Sequence, residues 1–185
     1  PSVPEVDEEA VALEFASDFA GYVVSNDAEN KRTSVSYENV QDNTWTCMFA
    51  SLDGKIGTNN TIELQVTNMG EETNTIRIDT GTNGSSLTTH ITGVISGGEY
   101  VSNEKFVKVV VAPGQTASVK FTVDNSNVID GMNIFLDSGV WANEAKSHNG
   151  NIVIGNVKFS GGESSQPEPK PSDITFNSTP EYTVT

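Results

Sequence analysis

The 185 residues include 25 Asp and Glu against 10 Lys and Arg, for a formal charge of −15 at pH 7, with a single cysteine and 35% hydrophobic residues. Such a balance repels a phosphate backbone and offers no basic stripe, so neither nucleic acid nor an anionic membrane is an expected partner. One cysteine excludes an internal disulfide, and no apolar run approaches the roughly 20 residues that a membrane-spanning helix needs.

The chain opens with PSVPEVDEE (Pro1 to Glu9), which is acidic, proline-bearing and poor in apolar residues, as a linker is. No charged-then-apolar leader precedes it, and the chain reads as a soluble piece trimmed from something longer. Next comes EEAVALEFASDFA, where Val11, Phe15 and Phe19 stand four apart and a helix fits as well as a strand. The far end of the chain breaks that tie. ITFNSTPEYTVT (Ile174 to Thr185) repeats the layout of LEFASDFAGYVV (Leu13 to Val24), with Phe176 over Phe15, Ser178 over Ser17 and, after one gap, Tyr182 over Tyr22. Its β-branched residues and its proline suit a strand and turn, and that reading carries back to the first copy. GGESSQPEPKPSD (Gly161 to Asp173) precedes the repeat as PSVPEVDEE precedes the first copy. The expected organisation is a linker end at 1–10, one module at 11–161, a Pro/Glu/Ser linker at 162–172, and the start of a second similar module or a tail at 173–185. A module of about 150 residues is large enough for its own hydrophobic core.

Within the module, period-two alternation recurs between turns rich in Gly, Asn, Asp and Ser. SVSYENV (Ser34 to Val40) and TWTCMFASL (Thr44 to Leu52) come first, and the second run places Cys47 as a small core residue and Trp45 in the core. Ile62, Leu64 and Val66 then alternate with Glu63, Gln65 and Thr67, and Ile76 and Ile78 with Arg77 and Asp79. LTTHITGVI (Leu87 to Ile95), KFVKVVV (Lys105 to Val111), Val119 to Val123, MNIFLDSG (Met132 to Gly139) and NIVIGNVKFS (Asn151 to Ser160) complete about ten short strands. That pattern predicts an all-β fold, a two-sheet antiparallel β-sandwich of jelly-roll type.

Catalytic motifs are missing: no phosphate loop, CxxC, HExxH or GxSxG occurs. Glu63, Asp79, Asp124, Asp137 and Glu144 sit on or beside strands, but carboxylate pairs arise by chance in so acidic a chain, and no enzyme is predicted. His90 and His148 are far apart and have no cysteine at ligand spacing, so no metal ligands are assigned. The loop SNDAEN (Ser25 to Asn30) is a candidate holder of structural calcium against the competing reading of an ordinary acidic loop.

The outward residues carry the functional signal. Core parity at Ile62, Leu64 and Val66 turns Gln65 to the other side, and Arg77 and Asp79 likewise oppose Ile76 and Ile78. Phe135 and Asp137 oppose Ile134 and Leu136, Trp141 keeps their parity if the strand continues, and His90 points away from Thr89 and Ile91. Tyr100 completes the candidate set. Aromatics beside Arg, Asp, Gln and His form the mixture that recognises a neutral sugar, the ring covering the C–H face and planar polar groups taking hydroxyls in pairs. The bland alternatives are a buried edge residue for Trp141 and a cross-strand surface pair for Arg77 and Asp79.

The order SVSYENV, TWTCMFASLDGK, NTIELQVTNMGEETNTIRIDTG, VKVVVAPGQTASVKFTVDNSNVIDGMNIFLDSG and GNIVIGNVKFSG resembles the β-jelly-roll carbohydrate-binding modules appended to bacterial polysaccharide-degrading enzymes, over Leu13 to Gly161. The resemblance implies a secreted or cell-surface, non-catalytic domain, part of a larger multimodular protein. Such a domain holds its partner on a polysaccharide, usually β-linked, through a concave sheet face or the loops at one end. In many such relatives an aspartate on the closing strand helps hold a structural calcium. Asn156 stands there in this chain, so no cofactor is expected to be required and calcium remains an option. The chain lacks a dense outward row of tryptophans, which favours a single soluble chain, of β-glucan type, over a crystalline surface. Linked copies would raise a modest per-site affinity through effective concentration. The rival expectation is a structural or adhesive repeat of a bacterial surface protein, with the sandwich as spacer.

Overall fold

Alternation along each strand decides the architecture. Ile62, Leu64 and Val66 are fully buried, as are Ile76, Ile78, Met132, Ile134 and Leu136, while their neighbours face outward. A computed structural model describes residues 2–41, 47–82, 88–136 and 147–162. Its strands in chain order are β1 (Phe15–Ala16), β2 (Val23–Asp27), β3 (Arg32–Gln41), β4 (Cys47–Ser51), β5 (Thr61–Asn68), β6 (Asn74–Thr82), β7 (Thr88–Thr89), β8 (Ile91–Ser96), β9 (Glu99–Val101), β10 (Phe106–Val111), β11 (Thr116–Val123), β12 (Gly131–Leu136) and β13 (Ser147–Ser160). No helix occurs among the described residues, and LEFASDFAGYVV forms β1, a turn and the start of β2.

All pairings are antiparallel. One sheet runs β1-β4-β12-β6-β10-β9, with β7 beside β6, and the other runs β2-β3-β13-β5-β11-β8. Successive strands from β3 to β6 and from β10 to β13 alternate between the sheets, which is the jelly-roll arrangement. The inner faces meet in one core, where Met48, Ile78 and Ile134 of the first sheet share a cluster with Leu64, Phe121 and Ile152 of the second. Full burial of each such side chain is worth about 1.5–3 kcal/mol.

Two expectations need correction here. LTTHITGVI is not one strand: the chain leaves the first sheet after Thr89 and enters the second at Ile91, with His90 in the crossing. The His90 amide donates to the Thr80 carbonyl at 2.9 Å, and its own carbonyl accepts the Asp124 amide at 2.9 Å. Cys47 has the opposite parity to the expected one, because Met48 and Ala50 fill the core and leave Cys47 and Phe49 half-buried on the outer side. Trp45, Asp137, Trp141, Glu144 and the repeat at 173–185 lie outside the described residues.

The segment ahead of β1 is held against the second sheet. The Val11 amide donates to the Val157 carbonyl at 2.8 Å, and Ala10 and Leu13 are buried. Residues expected to serve as a linker end thus lie across strand β13.

Candidate functional site

The outer side of the first sheet is built from cross-strand partners. Phe135 of β12 faces Cys47 on one side and Arg77 of β6 on the other, and Arg77 faces Lys108 of β10. In the adjacent row Asn133 lies between Phe49 and Asp79. Phe106 shares the outer face of β10 with Lys108, since Val107 and Val109 point into the core. The guanidinium carbon of Arg77 lies 4.1 Å from the centre of the Phe106 ring and 5.6 Å from that of Phe135. A cation over ring faces is attracted by their quadrupoles, and here it also covers Phe106, which is 2% exposed.

Among the described residues two carboxylates hold that cation. Arg77 Nε donates to Asp79 Oδ1 at 2.8 Å, and Nη1 donates to Glu104 Oε2 at 3.0 Å. Burial pushes the Asp79 carboxyl above the ordinary carboxylate range; Arg77 pulls it back down, and the Glu104 charge adds to the rise. Burial also raises the Cys47 thiol, helped by the charges of Asp79 and Asp18, so the thiolate that would make it a nucleophile is disfavoured. The result is a planar cation fixed in orientation on an aromatic floor, with an amide and an ammonium at its edges. The Arg77 side chain is 11% exposed and that of Asp79 9%, so the cation is held in place and largely covered.

Three of the eight expected residues, Arg77, Asp79 and Phe135, come together here. Gln65 lies on the outer side of the opposite sheet, where its Nε2 donates to Ser118 Oγ at 3.0 Å and its Oε1 accepts from Asn156 Nδ2 at 2.8 Å. Parity put Gln65 outward, but consecutive strands β5 and β6 belong to different sheets, so outward at Gln65 is the far side of the molecule from outward at Arg77. His90 sits in the crossing, 3.5 Å from Thr82 Oγ1 through Nε2. Tyr100 packs against the core and donates its hydroxyl to the Ile91 carbonyl at 2.9 Å. Trp141 and Asp137 fall outside the described residues. Sequence reasoning missed Phe49, Phe106, Lys108, Asn133 and Glu104. Strand parity marks Phe106, Lys108 and Asn133 as outward; the reach of Glu104 from its turn onto Arg77 left no sequence signal.

On the closing strand the polar side chains are engaged with one another. Asn156 sits at φ 49° in a β-bulge of β13, a conformation that asparagine tolerates well. Its Nδ2 donates to the Glu5 carbonyl and to Gln65 Oε1, and its Oδ1 accepts the Asp7 amide at 2.8 Å. The Lys158 ammonium stands 2.9 Å from Asp7 Oδ2 and 3.8 Å from Glu63 Oε1. Oxygens of Asn156, Asp7 and Glu63 therefore face N–H donors. In SNDAEN, Asp27 accepts from the Asn30 amide and Asn30 Nδ2, with Arg32 Nε at 4.0 Å. Among the described residues no group of three or more His, Cys, Asp or Glu is placed to hold a metal.

A concavity of about 960 Å³ opens at one end of the sandwich between β3, the start of β13 and the turn after β5, lined by Tyr37, Glu38, Asn39, Glu72 and Asn149 among others. Gly150 also lines it, and a Cβ there would run into the Tyr37 ring.

Neither a family model nor a curated protein matches the sequence. Solved structures that resemble it include the family 11 carbohydrate-binding module from Clostridium thermocellum in complex with a β-1,3-1,4-mixed-linked tetrasaccharide, at 16% identity over 85% of this chain and 95% of that one, with a TM-score of 0.45. A second, described as CBM4, has 15% identity over 76% and 77% of the two chains and a TM-score of 0.43. A third is a mutant of a family 29 carbohydrate-binding module, with 13% identity over 84% and 87% and a TM-score of 0.42. These are carbohydrate-binding modules, the class that the sequence resembles.

Proposed function

We propose that this chain is a non-catalytic polysaccharide-binding module that lays a neutral glycan chain, of soluble β-glucan type, across the outer side of the first sheet. The observation that carries the reading is the guanidinium of Arg77 fixed between the rings of Phe106 and Phe135 and ringed by Asp79, Asn133 and Lys108. Phe49 and Phe135 supply half-buried rings for the C–H faces of a sugar, and the polar edge takes its hydroxyls. No bond is made or broken, since both carboxylates of the site are engaged by Arg77. The module works outside the cell as one unit of a longer protein, keeping an attached enzyme or surface protein on its substrate. Stability requires no calcium, because Asn156 and Lys158 satisfy the closing strand. Among the described residues no helix is long and apolar enough to cross a membrane.

The deep burial of Phe106 and Asn133 favours a second reading, in which this face is structural and the sandwich is a spacer. Affinity electrophoresis separates the two. The chain is run through gels containing β-glucan, xyloglucan, xylan or mannan, beside Phe49→Ala and, as a control on the opposite sheet, Lys120→Ala. Selective retardation that Phe49→Ala loses and Lys120→Ala keeps supports the binding face. Equal migration of all three proteins in every gel supports the spacer.

A further inference from the structure

The two carboxylates on Arg77 differ in how firmly they are held. Asp79 stands two residues along the same strand with its side chain 9% exposed. Glu104 comes from the turn between β9 and β10, and its side chain is 56% exposed. The backbone of that turn is anchored: Lys105 adopts φ 56°, and its carbonyl accepts a hydrogen bond from Thr89 Oγ1 at 2.6 Å. Only the Glu104 side chain needs to swing for its contact to open.

An ion pair with so exposed a partner is weak and easily exchanged, whereas removing a buried partner leaves an uncompensated charge. The oxygen of Glu104 also lies where a sugar hydroxyl or a sugar carboxylate would meet Nη1. We infer that Glu104 is the exchangeable occupant of the sugar position on Arg77, and that its charge selects neutral glycans over those bearing uronic acids. The inference rests on the reading of this face as a glycan site and names which glycans it admits.

The selection follows from charge. Among the described residues Asp79 and Glu104 stand against Arg77 and its cross-strand neighbour Lys108, so the local charges balance and an incoming uronate makes three carboxylates against two cations, on a chain whose net charge is −15. An incoming uronate displaces Glu104 but remains beside it and Asp79, and like charges at that range repel. A neutral diol displaces Glu104 without that repulsion.

The test uses the full chain, with Glu104→Gln and Glu104→Ala, in gels containing each neutral polymer above or polygalacturonate. Carboxyl NMR of Asp79 reports the ion-pair cluster independently of any ligand. Both variants are expected to bind the neutral polymer about two- to fivefold more tightly, the equivalent of losing one competing surface ion pair. Polygalacturonate is expected to leave the parent chain unretarded and to retard the variants, and the Asp79 carboxyl is expected to titrate lower once the Glu104 charge is gone. Neutral-polymer binding that is equal or weaker in both variants, or polygalacturonate that still fails to retard them, overturns the inference and leaves the glycan face standing. Uniform migration of the parent chain, with the Asp79 shift still observed, sinks the reading of the face and the inference with it.

Discussion

On the outer side of the first sheet an arginine lies between two phenylalanine rings, whereas on the outer side of the second sheet short polar side chains pair with one another. Thr67 meets Thr116 and Thr92 meets Thr122, each at 2.8 Å, and Gln65 meets Ser118 at 3.0 Å. The second face is further covered by the incoming chain through Asp7, Asn156 and Lys158. Both faces arise from the same alternation of apolar and polar residues. What separates them is chemistry at the outward positions. Hydroxyls and amides opposite one another satisfy each other across strands, while rings around a guanidinium make a floor with polar edges.

The sharpest way to break the contrast is Asp79→Ala. It leaves Arg77 poorly compensated on a largely buried floor, and should destabilise the fold by about 3–5 kcal/mol in urea denaturation. A change within 1 kcal/mol would mean that the pair is solvated and the first face resembles the second. Next in size is Phe49→Ala, which removes a half-buried ring from the proposed glycan floor. Affinity for the retarding polymer should fall about tenfold, the equivalent of roughly 1.4 kcal/mol, with the far-UV spectrum unchanged. On the second face Asn156→Ala should cost about 1–2 kcal/mol through its hydrogen bonds to Glu5, Asp7 and Gln65 and leave polymer retardation as it was. Thermal melts of the parent chain in calcium and in EDTA should coincide.

The smallest effect is one of pH. A backbone hydrogen bond from Glu9 and a side-chain bond from Lys158 hold the Asp7 carboxyl below its ordinary 3.8, and Asp7 in turn holds the Lys158 ammonium above 10.5. The carboxylate's contribution is present above 3.8 and lost as pH falls through its lower folded value. The ammonium's contribution is present below 10.5 and lost as pH rises through its higher folded value. Amide exchange at Asp7 and Glu9, corrected for the intrinsic pH dependence of exchange, should therefore show constant protection from about pH 5 to 10 and loosening beyond either end. A transition near pH 7 would show that other groups hold the segment.

Core parity was legible along β5, β6 and β11: Ile62, Leu64, Val66, Ile76, Ile78 and Phe121 all point where alternation puts them. Sheet membership was not, and that cost the candidate site Gln65. Parity separates the two sides of one strand but does not say which sheet the strand joins, and in a jelly roll neighbouring strands exchange sheets. His90 escaped for a related reason, since a strand-like run conceals a crossing when apolar spacing continues through it. Cys47 shows the one-residue hazard: Met48 and Ala50 fit the core as well as Cys47 and Phe49 do, and the pairing with β12 decides between them. Glu104 was invisible because a turn residue's reach depends on the tertiary path of its hairpin.

The hold on residues 2–11 has a mechanical side. One backbone bridge, the Asn156 amide and the Lys158 ammonium fasten this stretch to β13, while every neighbouring strand is laced by a full ladder. Tension applied from the N-terminal side would peel the stretch away before any sheet yields, releasing about 35 Å of chain. The module would then act as a tether with a short reserve of slack, able to give under a pull while the first sheet keeps its shape.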